Sequence, residues 1–99
     1  IVASNDTTAI YLMAYCRQRG LRVPADVSVA GFDNIIESAL TDPPLTTVNS
    51  RLEDIGTQAV KLLLALLANP RYPHRNVYVQ PELITRASTR ALARPDETR

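Results

Sequence analysis

Two short polar pairs stand out for the chemistry they could do. Asn5-Asp6 follows the apolar run Ile1-Val2-Ala3-Ser4 directly, and Asp33-Asn34 follows Val27-Ser28-Val29-Ala30-Gly31-Phe32. A carboxylate accepts hydrogen bonds from adjacent hydroxyls and a carboxamide both donates and accepts, so together they suit the edge of a sugar or nucleoside. The same residues have a plainer use: Asn5 or Asp6 can cap a helix, and Asp33-Asn34 can make a turn. Both uses stay open on the residues alone. Gly20, Gly31 and Gly56 are too scattered to cradle a phosphate. The sole histidine, His74, lies in a loop between Pro73 and Arg75, and no nucleophile and base pair can be identified, so no enzymatic activity is expected. One cysteine, Cys16, and one histidine fall short of a structural zinc site; no metal and no cofactor is expected. Arg86, Arg90, Arg94 and Arg99 look like a basic stripe. Pro95 breaks its spacing and Asp96-Glu97 offset its charge, so it reads as a solvated tail.

The elements that must position these pairs can be placed from local signals. Ile1 to Ser4 reads as a buried strand, and a helix is predicted from about Asp6 to Arg19, with Gly20 as its left-handed stop and Pro24 preventing resumption. Val27, Val29 and Phe32 mark a second strand, apolar on both faces as in parallel sheets. Strand, helix, strand makes a βαβ unit, hence an α/β fold. Open sheets of this kind bind ligands outside the carboxyl ends of their strands, so Asn5 and Asp33 should share one edge. Asp33 to Leu40 is a short helix or turn ended by Thr41-Asp42-Pro43-Pro44, and Leu45 to Val48 is a third extended segment. Ser50 and Glu53 form a capping box opening a second helix to about Ala68, whose apolar face carries Leu52, Ile55, Ala59, Leu63 and Leu67. Asn76 to Gln80 and Leu83 to Ser88 read as strands broken at Pro81, and Ala91 to Arg99 as a frayed tail. The first helix is apolar nearly all round. Ala9, Leu12, Met13 and Cys16 form one face, with Ile10, Ala14, Tyr11 and Tyr15 over most of the rest, so it needs cover on two sides, from the sheet and from further protein or a partner subunit.

Composition narrows the class. At 99 residues with 45% hydrophobic and 21% charged positions, the chain can form one small core and is not a disordered segment. Eleven basic against ten acidic residues give a formal charge of +1, which excludes a basic DNA-binding module or an electrostatic membrane binder. The lone cysteine suits a reducing, cytoplasmic setting, and no apolar run reaches the roughly 18 residues of a spanning helix. The chain opens on a strand without an initiator Met, which reads as a piece of a longer protein.

Several motifs in order carry a more specific signal. Ser4-Asn5-Asp6 before a helix, Gly20-Leu21-Arg22-Val23-Pro24-Ala25-Asp26-Val27-Ser28-Val29-Ala30-Gly31-Phe32-Asp33-Asn34, Pro43-Pro44-Leu45-Thr46-Thr47-Val48 and Pro81-Glu82-Leu83-Ile84-Thr85-Arg86-Ala87-Ser88-Thr89 resemble the C-terminal part of the effector-binding domain of LacI/GalR transcription regulators. The resemblance implies a parallel-sheet, periplasmic-binding-protein-like type I fold, incomplete here, with an effector between two subdomains. Residues 1–47 and 81–90 would belong to the C-terminal subdomain and residues 48–80 to the N-terminal one, with 91–99 a tail. It further implies effector contacts at Asn5 and Asp33, with Phe32 as the nearby ring. Ser50 stands at a further effector-contacting position, where the family often has Gln. A homodimer would use the first helix, through Ile10, Met13 and Ala14. Operator DNA would be bound only by a helix-turn-helix upstream of Ile1, and no membrane is involved. The chief alternative is an extracytoplasmic sugar-binding protein of a transporter, which shares the fold.

Overall fold

The computed structural model describes residues 1–94; the predicted tail beyond Arg94, with Pro95 and Arg99, lies outside the described residues. Four elements follow in order: helix α1 (Asp6–Gln18), strand β1 (Thr47–Asn49), helix α2 (Leu52–Ala68) and strand β2 (Glu82–Ile84), with a 3-10 turn at Ile36–Ala39 before β1. Local chemistry explains α1. Asn5 is extended and its side chain accepts from the Thr8 N–H, while Asp6 places a carboxylate in the first turn. At the far end Gly20 takes φ +73°, which lets its N–H reach the Arg17 carbonyl at 3.1 Å and the Leu21 N–H reach the Cys16 carbonyl at 2.9 Å.

The predicted parallel arrangement is present as a narrow sheet. Val2 pairs with Ala30 and Ala30 with Thr46, both parallel, through bonds such as Ala3 N–H to Ala30 O at 2.8 Å and Gly31 N–H to Thr46 O at 2.9 Å. Ser88 enters the ladder with its side chain, its hydroxyl accepting from the Thr46 N–H at 2.8 Å and donating to the Val29 carbonyl at 2.6 Å. Beyond this sheet β1 turns to pair antiparallel with β2, Val48 opposite Leu83, forming a two-stranded ribbon.

Among the described residues, Ala9, Met13, Cys16, Val29 and Leu45 form the buried hydrophobic set, matched by an equal number of buried polar ones, Asp6, Ser38, Thr46, Thr47 and Ser88. Directional hydrogen bonds therefore specify this core as much as apolar packing does. Met13 is 8% exposed within it and packs with Ala9, Val29 and Leu45, so its side chain serves this core whatever else it touches.

Two expectations are corrected. No Ser50–Glu53 capping box forms, because the chain leaves β1 through a left-handed residue at Arg51 (φ 57°) that takes the cap position itself, one residue late for that spacing. The Asn76 to Gln80 segment is not paired as a strand; Val77, Tyr78 and Val79 lie along α2, against Gln58 and Leu62, with no described strand beside them to complete a ladder. The predicted apolar face of α2 lies open among the described residues, with Leu63 and Leu67 exposed; the side that packs carries the half-buried Gln58, Leu62 and Ala65.

Candidate functional site

The two polar pairs meet where the second parallel segment ends. Asp33 (φ 110°) and Asn34 (φ 57°) both occupy positive-φ backbone, a conformation costing non-glycine residues about 1–3 kcal/mol each and kept only where surroundings fix it. Three consecutive amides are fixed here. The Asp33 N–H donates to the Val48 carbonyl at 3.0 Å, the Asn34 N–H to Thr47 Oγ1 at 3.2 Å, and the Ile35 N–H to Asp6 Oδ2 at 2.9 Å. Asp6 is wholly buried, with its other oxygen accepting from Thr47 Oγ1 at 2.6 Å and its own N–H donating to the Phe32 carbonyl at 2.9 Å. Gly31 makes the room: a Cβ there would run into the Asp6 carboxylate and lie 3.0 Å from both Asp6 Cα and Leu45 Cδ2.

The four carboxylate and amide side chains therefore divide by task. Asp6 and Asn34 brace the turn from inside. Asp33 is half-buried, and its carboxylate takes no hydrogen bond or ion pair from any described residue. Asn5 serves its cap through Oδ1, at 2.8 Å from the Thr8 N–H, which leaves its amide nitrogen as a donor. The register of Val2 with Ala30 brings Asn5 and Asp33 to the same edge, and Phe32 beside them is 41% exposed. Ser50 follows β1, and its hydroxyl is buried without a partner among the described residues. Of these, Asp33 is tied to β1 directly, through its N–H to the Val48 carbonyl. The edge is open: concavities of about 350 Å³ by Met13, Arg17 and Pro43, and about 460 Å³ by Ile10, Tyr11 and Leu40, lie elsewhere.

Arg86 and Arg90 do not belong to a solvated stripe. Arg86 is half-buried and its guanidinium bonds to Ser38 Oγ at 2.7 Å, Asn34 Oδ1 at 2.8 Å and the Leu45 carbonyl at 3.0 Å, while Arg90 reaches the Pro24 and Ala25 carbonyls. Ile84, Arg86 and Ser88 alternate inward while Thr85 and Ala87 are exposed, the period of a strand with one face covered. At the opposite end of the strand carrying Val29, Asp26 pairs with Arg22 at 3.2 Å, and the hydrogen bonds from Arg22 hold its carboxyl below the ordinary carboxylate range.

Comparison with known proteins bears on this geometry. Residues 1–89 match the family described as periplasmic binding protein-like domain. The transcriptional regulator MalR of Streptomyces coelicolor is 43% identical over 89 residues, covering 90% of this chain and 26% of MalR. Among solved structures, a LacI family regulator from Enterococcus faecium with bound ribose has a TM-score of 0.87 at 29% identity, covering 93% of this chain and 34% of that one. The lac repressor dimer bound to operator and the anti-inducer ONPF has a TM-score of 0.83 at 33% identity, covering 91% and 31%. The chain spans about a quarter of the length of the regulators it matches. No helix among the described residues is long and apolar enough to cross a membrane.

Proposed function

The chain belongs to the periplasmic binding protein-like domain family, in its LacI/GalR type, and on that basis we propose that its polar sheet edge senses a small polar effector, a sugar or a nucleoside-like molecule. In this reading Asp33 accepts from ligand hydroxyls, the Asn5 amide nitrogen donates, and the exposed Phe32 ring flanks the ligand. The Ser50 hydroxyl lies nearby. The observation that carries the reading is the Asp33 carboxylate, left without a partner on a turn whose amides are all held. A strained turn fixed so completely around an unpaired acceptor is what a preorganised ligand contact requires.

Closure of a cleft about the β1–β2 ribbon would pass the ligand's presence to a DNA-binding segment in the longer protein, without catalysis and in the cytoplasm. The regulators among the relatives favour this over a transporter's sugar-binding protein. Calorimetric titration of the full-length protein with D-ribose, cellobiose, maltose and adenosine tests it. Saturable heat with one of them, accompanied by a change in binding to DNA from the protein's own upstream region, is expected; no binding by any would count against the reading.

The outward side of α1 supplies the homodimer contact in this proposal, through Ile10 and Ala14, with Tyr11 74% exposed between them. Ala14 is exposed, so Ala14→Asp leaves the subunit's own core untouched while placing a charge in that contact. Sedimentation of the full-length variant should show monomer where the unmodified protein sediments as a dimer. A dimer of unchanged affinity would remove α1 from the interface.

A further inference from the structure

We propose that Arg86 is a positioning residue for Asp33, setting the Asp33–Asn34 turn from the crossing strand β2; this rests on the effector reading above. Arg86 lies two residues beyond the end of β2. Its guanidinium spreads over three acceptors from two segments, Asn34 Oδ1, Ser38 Oγ and the Leu45 carbonyl, and its own N–H donates to Thr46 Oγ1 at 2.9 Å. No carboxylate pairs with it among the described residues. The planar fork, rather than a point charge, suits this set, since a lysine ammonium cannot reproduce divergent bonds from two fixed nitrogens.

The Asn34 end of this contact gives it a bearing on the site. Asn34 adopts φ 57° next to Asp33, and its side chain is tied down by Arg86 while its backbone N–H is tied to Thr47 of β1. The Asp33 N–H is tied to Val48, also of β1. Asp33 is thus held by one crossing strand directly and by the other through Arg86 and Asn34. Because β1 and β2 pair in register, a shift of either crossing strand is felt at Asp33, and a ligand on Asp33 bears on both strands.

Amide exchange on the ligand-free full-length protein provides the primary test, with Arg86→Lys keeping the charge and Asn34→Gly removing the acceptor at a φ that glycine adopts without strain. Both variants should speed exchange over residues 33–36 by about tenfold while residues 9–18 in α1 keep their native rates. Acceleration spread equally over both regions, or none at the turn, would overturn the proposal; should Arg86→Lys fail to fold, Asn34→Gly discriminates between the same outcomes.

Titration with the tightest binder of the four compounds above then reads the functional side. Arg86→Lys should weaken binding about tenfold, yet lower it by less than about twofold when added to Asp33→Asn. Fully additive losses would mean that Arg86 acts elsewhere. If Asp33→Asn itself binds like the unmodified protein, the effector reading fails, and the exchange pattern still decides whether Arg86 sets the turn.

Discussion

Asp6→Ala should destabilise the full-length protein by about 2 to 5 kcal/mol, read from urea unfolding. The side chain is wholly buried and accepts from two donors, Thr47 Oγ1 and the Ile35 N–H, neither of which has another acceptor within the described residues. Alanine strands both, and each buried unpaired donor costs about 1 to 3 kcal/mol. It also removes the acidic group from the first turn of α1, a smaller loss. Asp6→Asn is the informative companion: it retains one acceptor oxygen and nearly the same shape, so its cost should fall clearly below that of alanine. Equal and small effects from both variants, within about 1 kcal/mol of the unmodified protein, would show that the Asp6 bonds are not what holds the turn.

Asp33→Asn should weaken effector binding roughly tenfold to a hundredfold, about 1.5 to 3 kcal/mol, through loss of a charge-assisted acceptor while ligand hydroxyls are left stranded. Asparagine is preferred to alanine because Asp33 stands at φ 110°, where alanine would add backbone strain of its own. DNA binding without effector should change little in an induced regulator, whereas a co-repressed one would lose the effector-dependent part. Asp26→Ala is the control, an exposed carboxylate at the opposite end of the strand, and should leave affinity near the unmodified value. Its pairing with Arg22 lowers the carboxyl's folded-state pKa. Any stability it lends is therefore fully present at neutral pH and lost only as pH falls through the lowered value, so titrations at neutral pH do not cross its ionisation. Asp33→Asn binding as well as the unmodified protein, with folding intact, would reduce Asp33 to a turn former.

Features that depend on neighbours a few residues away are legible along the chain. Asn5 and Thr8, or Gly20 and Arg17, are within one helical turn, so the start and stop of α1 follow from residue types alone. The βαβ order then requires Val2 and Ala30 to run parallel, which puts Asn5 and Asp33 at one edge before any side chain is placed. Which carboxylate is buried and which is left without a partner was decided only by folding. Asp6 and Asp33 are the same residue type after similar strands. Asp6 is buried because Thr47, 41 residues away, and Ile35, 29 away, supply its donors and Gly31 supplies the space. Arg86 reads as tail charge along the chain because its acceptor Asn34 lies 52 residues back, and Ser88 gives no sign that its hydroxyl serves as a rung of the sheet. Local capping and hydrophobic period are carried by adjacent residues, but a buried polar group takes its role from whichever distant donor or acceptor folding brings within about 3 Å.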